Sequence, residues 1–233
     1  MNRLGFPLAL LLSALLCVQS VGAAPPPGGP SVALLSKVIL DVLRKEVGKD
    51  WEKAVRGQTL ASGDMVRTGV AALAIIKFKD NSLVRLREKS ELTVKGTQTG
   101  NSFSKSVEIT TGVVGFNVQK QRAGEEFRFT SPTSVASIRG TAGRLNSTTG
   151  SDSLMVTEGT VVLTNRTSSR SVNVSAGYTG ISNRDGTVQS RLSTPDEQRA
   201  ALEALRDDLR KRLEIELRDP NGKTNRLKID YNE

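Results

Sequence analysis

The sequence predicts a mainly β fold followed by a helix near the C-terminus. Many short segments alternate apolar and polar residues, and Gly, Asn, Asp or Ser bound most of them. Aromatic residues make up 4% of the chain while glycines number 21, a balance suited to short strands and turns up to about residue 192. A single strong helix start stands at Thr194.

The first 23 residues read as a secretory leader. Arg3 supplies the positive n-region, residues 8–18 are apolar apart from Ser13, and Val21-Gly22-Ala23 places small residues at positions −3 and −1 of a cleavage site. Cleavage is expected between Ala23 and Ala24, since a cut after Ala24 would leave Pro25 at the scissile bond. The alternative is an uncleaved anchor, for which the apolar run is short. Leu16 stands before Cys17, where a lipobox needs a small residue, so lipidation is not expected. Cys17 would depart with the leader, and a domain of this size needs no disulfide. No later segment is long and apolar enough to span a bilayer, so the mature chain is expected to have no transmembrane helix. Residues 24–36, rich in proline and glycine at their start, read as a linker.

The β region is expected over residues 37–192. At its start Val32, Leu35, Ile39, Val42, Leu43 and Val47 keep helical spacing, whereas Val38, Leu40 and Val42 alternate as a strand. The next segment is a hairpin. Ala74, Ile76 and Phe78 share one face with Val84 and Leu86; Lys77, Lys79, Arg85 and Arg87 occupy the other, across a turn at Asp80-Asn81. That basic face is either a solvated surface or a docking stripe for an acidic partner. Further strands are expected over 91–95, 106–110, 112–119, 126–130, 154–157, 160–165, 171–174 and 178–182. A glycine-led echo at Gly112, Gly159 and Gly186 is irregularly spaced and reads as ordinary turn-then-strand grammar.

Between these strands lies Ser131-Pro132-Thr133-Ser134-Val135-Ala136-Ser137-Ile138-Arg139-Gly140-Thr141. Pro132 biases Ser131 toward extended backbone, Ile138 is a core candidate, and Gly140 permits a positive φ. Arg139 is read as tying a buried turn to carbonyls rather than as an anion ligand.

Residues 193–233 change character. Thr194-Pro195-Asp196-Glu197 is a capping box with proline at the first helical position. Leu202, Leu205, Leu209 and Leu213 follow at helical spacing, predicting a helix over 195–213 whose leucines pack on the domain. Beyond it, Asp219-Pro220-Asn221-Gly222 separates two alternating runs, which suggests a terminal hairpin; a helix continuing to Leu217 is the alternative.

The chemistry available is narrow. There is no histidine, and Cys17 is the sole cysteine, which excludes Ser-His-Asp and Cys-His catalysis and zinc sites of the usual type. No phosphate-cradling loop or acidic calcium loop is present, and no cofactor is expected. Two carboxylates could still serve a glycan hydrolase, and Asp64, Asp80, Glu108 and Glu158 are the candidates; each reads instead as structural. Net charge is +9, and loss of Arg3 with the leader leaves +8. Such a balance favours anionic neighbours, while no nucleic-acid motif is present.

The central signature resembles that of FecR domains. So do Trp51, Leu60-Ala61-Ser62-Gly63-Asp64, Arg67-Thr68-Gly69, the segment from Ala74 to Leu86 with Asn81 where glycine is usual, Glu158-Gly159-Thr160 and Ala176-Gly177. The resemblance covers about residues 37–182. It implies structural roles for Gly63, Asp64, Arg67, Thr68, Gly69, Pro132, Arg139, Gly140, Thr141, Glu158, Gly159 and Gly177. It favours a strand near Lys37 and a twisted, solenoid-like β fold, with a β-sandwich as the alternative. It implies a non-catalytic binding, sensory or scaffolding module in the periplasm or outside the cell, meeting an envelope protein or anionic envelope polymer. Sigma-regulating members carry an anti-sigma segment and a transmembrane helix; the expectation here is a chain with neither.

Overall fold

The computed structural model describes residues 31–100, 102–208, 210–218 and 224–232. The leader and residues 24–30 lie outside them. Strands occur in the order β1 (Ser31–Ile39), β2 (Val42–Lys45), β3 (Trp51–Lys53), β4 (Thr59–Ala61), β5 (Met65–Thr68), β6 (Leu73–Phe78), β7 (Leu83–Leu86), β8 (Glu91–Thr99) and β9 (Ser102–Val118). They continue as β10 (Phe127–Thr130), β11 (Ser134–Ile138), β12 (Thr141–Ser147), β13 (Ser151–Glu158), β14 (Thr160–Asn165), β15 (Ser171–Ser175), β16 (Tyr178–Asn183) and β17 (Val188–Leu192). Helix α1 (Pro195–Ala204) and strands β18 (Arg210–Arg218) and β19 (Thr224–Asn232) complete the chain.

Two sheets share the long strand β9. Sheet A runs β1-β6-β7-β9-β12-β13-β16-β17, and sheet B runs β3-β2-β5-β8-β9-β10-β11-β14-β15. Only β9 and β10 pair in parallel; the other pairings are antiparallel. After each short stretch in one sheet the chain passes to the other, so successive strands wind along the fold. The solenoid and sandwich expectations describe two aspects of this object. The winding is that of a coil, and the section is two facing sheets.

Alternation explains why the sheets face one another. On β9 and β12 the residues Val114, Phe116 and Leu145 turn inward, while Gly115, Asn117 and Arg144 turn outward. Phe78 and Phe116 of sheet A meet Phe127 and Phe129 of sheet B, with ring centroids 4.9 Å and 5.1 Å apart. One continuous core includes residues of both sheets.

The passage within β9 occurs at Gly112, whose φ is +104°. A Cβ there would lie 2.1 Å from the Ser90 hydroxyl oxygen, so the strand bends from sheet B into sheet A only with glycine at this point. The two strands expected over 106–110 and 112–119 are therefore one bent strand. The glycine echo also acquires meaning. Gly112 and Gly159 both mark passages between sheets, whereas Gly186 sits in the β16–β17 hairpin turn. The ordinary-grammar reading holds for the last alone.

Boundaries at both ends of the chain differ from expectation. Strand β1 begins at Ser31, inside the stretch read as linker, because Val32, Ala33 and Leu35 are buried core residues. Helix α1 ends at Ala204 rather than residue 213, and β18 begins six residues later. Its capping box forms as expected: the Thr194 hydroxyl accepts from Glu197 N–H, and Glu197 accepts from Thr194 N–H. Of the leucine stripe, Leu205 is half-buried and Leu202 faces solvent. Leu202 is 62% exposed, and Ala201 and Ala204 are the residues the helix buries. Leu209 lies outside the described residues, and Leu213 belongs to a strand. The terminal hairpin of β18 and β19 forms a separate two-stranded sheet, which settles the choice against a longer helix.

Candidate functional site

The signature residues divide into groups, and most secure turns. Asp64 is buried; its Oδ2 accepts from Ala61 N–H at 3.0 Å and from the Arg44 guanidinium at 3.2 Å. Arg44 also meets Glu46 at 2.7 Å and Glu52 at 3.3 Å, making it the hub of this corner. Gly63 has a φ of +98°. Arg67 stacks on Trp51 with its guanidinium 4.2 Å from the ring centre. The Thr68 hydroxyl donates to carbonyls of Arg87 and Ser90 and accepts from Ser90 N–H. Gly69 N–H donates to the Asp41 carbonyl at 2.8 Å.

The central signature forms a second knot. Hydroxyls of Ser131, Thr133 and Ser134 all donate to Oδ2 of the fully buried Asp152, while Pro132 is exposed at the turn. Ile138 is buried, and Gly140 takes a φ of +80° against Lys120. Gly140, Thr141 and Glu158 line one small polar cavity, and Gly159 packs on Thr141. Gly177 closes the β15–β16 passage through its N–H bond to Val156. Arg139 does not tie this turn. It is exposed and makes no side-chain hydrogen bond or ion pair among the described residues. The turn is held instead by backbone conformation.

The acidic candidates are mostly paired. Asp80 accepts from Lys105 at 2.8 Å, Gln121 at 2.9 Å and Ser82 N–H at 3.1 Å. Burial pushes the Asp80 carboxyl up, but those hydrogen bonds outweigh it and hold it below the usual range. Glu108 bonds Lys95 at 2.6 Å, and Glu158 is exposed. No group of three or more potential metal ligands gathers among the described residues.

The four basic hairpin residues separate. Lys77 and Arg85 share the outer face of sheet A, as the register requires. Lys79 lies at the edge, 6.0 Å from the Phe103 ring. Arg85 is only 7% exposed and Arg87 is half-buried, so neither belongs to an open stripe. The residues after α1 cover them. Arg85 Nε donates to Asp207 at 2.6 Å, Arg87 Nη1 donates to the Arg206 carbonyl at 3.1 Å, and Lys37 donates to the Asp207 carbonyl at 2.7 Å.

Register extends this cationic row across the sheet. Lys37, Ile75, Arg85, Gly115, Arg144, Met155, Thr179 and Arg191 stand side by side on consecutive strands. Helix α1 lies over β9, β12 and β13. Its last carbonyl sits directly on Gly115: a Cβ there would be 2.0 Å from the Ala204 oxygen. At its start Glu197 pairs with Arg191 at 2.7 Å, and Thr179 bonds Ser193 at 2.8 Å. Burial lowers the pKa of Arg87 and Arg144 from the usual arginine value. Sequence reasoning missed Arg144 and Gly115, because cross-strand adjacency between residues so far apart leaves no periodic signal.

The Arg191 guanidinium beside Glu197 holds its carboxyl down to about 2. A depressed carboxylate stabilises the fold above its ordinary pKa, and that contribution disappears as pH falls through the folded value. Hydrogen exchange of α1 amides is therefore expected to stay slow near neutrality and to accelerate between about pH 4.5 and 2. Glu197→Gln should remove most of that acid step.

The two-sheet winding and the signature corner are consistent with a FecR domain. Residues 64–162 match the family model described as FecR protein. The fold is similar to that of a provisionally assigned anti-sigma factor from Parabacteroides distasonis ATCC 8503 in two crystal structures. One has a TM-score of 0.50 at 14% identity, covering 58% of this chain and 63% of that one. The other has a TM-score of 0.49 at 14% identity, covering 58% and 62%. The chain thus spans less than two thirds of these relatives, and the likeness concerns fold. No curated protein sequence matches the chain. Among the described residues no helix is long and apolar enough to cross a membrane.

Proposed function

We propose that the chain is an exported, non-catalytic sensory or scaffolding module of the bacterial cell envelope, working by binding an anionic envelope protein or polymer. The observation that carries this reading is the net charge of +9 together with Lys77 on the outer face of sheet A and the exposed Lys79 at its edge. The FecR match supports a regulatory module, and the leader supports export to the periplasm or beyond. The acids a hydrolase would need are engaged in turns and ion pairs at Asp64, Asp80 and Glu108.

Envelope extracts passed over the immobilised mature chain test the reading. Retention should fall as salt rises, and Lys77→Glu with Lys79→Glu should weaken it without lowering the melting temperature. Equal retention by wild type and variant would reject a charge-driven interaction at this edge. Mass spectrometry of the exported chain should find Ala24 at its amino terminus.

A further inference from the structure

We infer that helix α1 and the residues following it are a strap over a docking surface for an acidic protein segment, which competes with the strap for the arginine row of sheet A. The inference rests on the reading of the chain as a binding module and names the partner and its control.

Two guanidinium groups lie beneath the strap with incomplete sets of acceptors. Arg85 is nearly fully buried, yet its Nη1 has no hydrogen-bond partner. Arg144 is half-buried and makes no hydrogen bond or ion pair among the described residues; Glu197 acts on it only at longer range. A desolvated cation without a full set of acceptors is costly. The strap therefore covers this face without satisfying it. Over Arg85 and Arg144 its contacts are small ones: Ala201 and Ala204 against the sheet, a carbonyl on Gly115, and the largely exposed Asp207 side chain on Arg85. Its firmer contacts lie at its ends, where Glu197 pairs with Arg191 and the Arg206 and Asp207 carbonyls accept from Arg87 and Lys37. Leu202 points away from the sheet into solvent. An occupant carrying more carboxylates would give Arg85 and Arg144 the acceptors they lack. Charge complementarity thus selects an acidic segment, and bidentate arginine–carboxylate pairing is the recognition chemistry. Release of the strap is the switch, since α1 must leave before the row can be reached.

Gly115→Val tests this directly. Valine suits an outward strand position but cannot coexist with the Ala204 carbonyl, so the sandwich should persist while α1 lifts. The probe is a labelled peptide of alternating glutamate and alanine, added to the mature chain at low salt. In Gly115→Val, α1 amides should exchange rapidly while β9 and β12 stay protected. The peptide should then bind at least about tenfold tighter than to wild type, and adding Arg85→Gln with Arg144→Gln should abolish the gain. Should Gly115→Val fail to fold, Glu197→Arg with Asp207→Lys releases the strap by reversing the charges that pair with Arg191 and Arg85, and the same gain is expected. Release of α1 without tighter binding overturns the proposal, as does a gain that survives loss of both arginines. Either result, obtained while wild type still captures an envelope partner through Lys77 and Lys79, removes the strap mechanism alone. If wild type also captures nothing, the binding-module reading falls with it.

Discussion

Phe127→Ala is expected to lower stability by about 3–5 kcal/mol. Phe127 is fully buried, with its ring edge-on to Phe78 at 4.9 Å and 5.4 Å from Phe129. Phe129 in turn meets Phe116 at 5.1 Å. Truncation opens a cavity where the two sheets join, and neither sheet can relax into it without losing strand register. Urea unfolding of the mature chain measures the effect. A loss below about 1 kcal/mol would mean that the two sheets do not share this core.

Asp80→Ala is expected to cost a similar amount, about 3–5 kcal/mol, by a different mechanism. Its carboxylate is the close partner of Lys105, whose side chain is only 3% exposed and whose other acid, Glu125, is 3.9 Å away. Removing Asp80 leaves a buried ammonium without its acceptor. Replacing both groups, Asp80→Ala with Lys105→Met, should recover most of the loss, because a buried pair contributes little beyond what an apolar substitute gives. A double variant as unstable as the single one would place the cost in the β6–β7 turn, where Asp80 also accepts from Ser82 N–H.

Much of the fold was legible because strands announce themselves locally. The 160–165 strand coincides with β14, and the alternation from Ala74 to Leu86 predicted the inward faces of β6 and β7. The capping box located the start of α1. Its end was not legible. Leu205, Leu209 and Leu213 keep helical spacing, but the last of these also alternates with Ile215 and Leu217, and the strand period wins there. The Ser31 start of β1 was hidden for a related reason, since its apolar residues fit two periods equally well. Gly112 read as the start of a strand when it is the bend within one.

The site was legible only in part. The hairpin pattern correctly put Arg85 on the outward face of sheet A. It could not show that Asp207, distant in sequence, returns to cover that residue. Nor could it show that Gly115 is bare because a helix carbonyl rests on it. Arg139, read as a turn tie, stands free because positive φ at Gly140 already shapes the turn. Long-range cover of this kind depends on three-dimensional register, which a single sequence does not display.

The C-terminal helix seats on the arginine row of sheet A, with its last carbonyl on Gly115. The most direct measurement is proton–proton contact by NMR between the Gly115 α-protons and Ala204 in the mature chain at neutral pH. The seated strap predicts strong cross-peaks between these residues, lost in Glu197→Arg with Asp207→Lys. A helical α1 that shows no contact with Gly115 in the wild-type chain would mean that the helix does not seat on the arginine row.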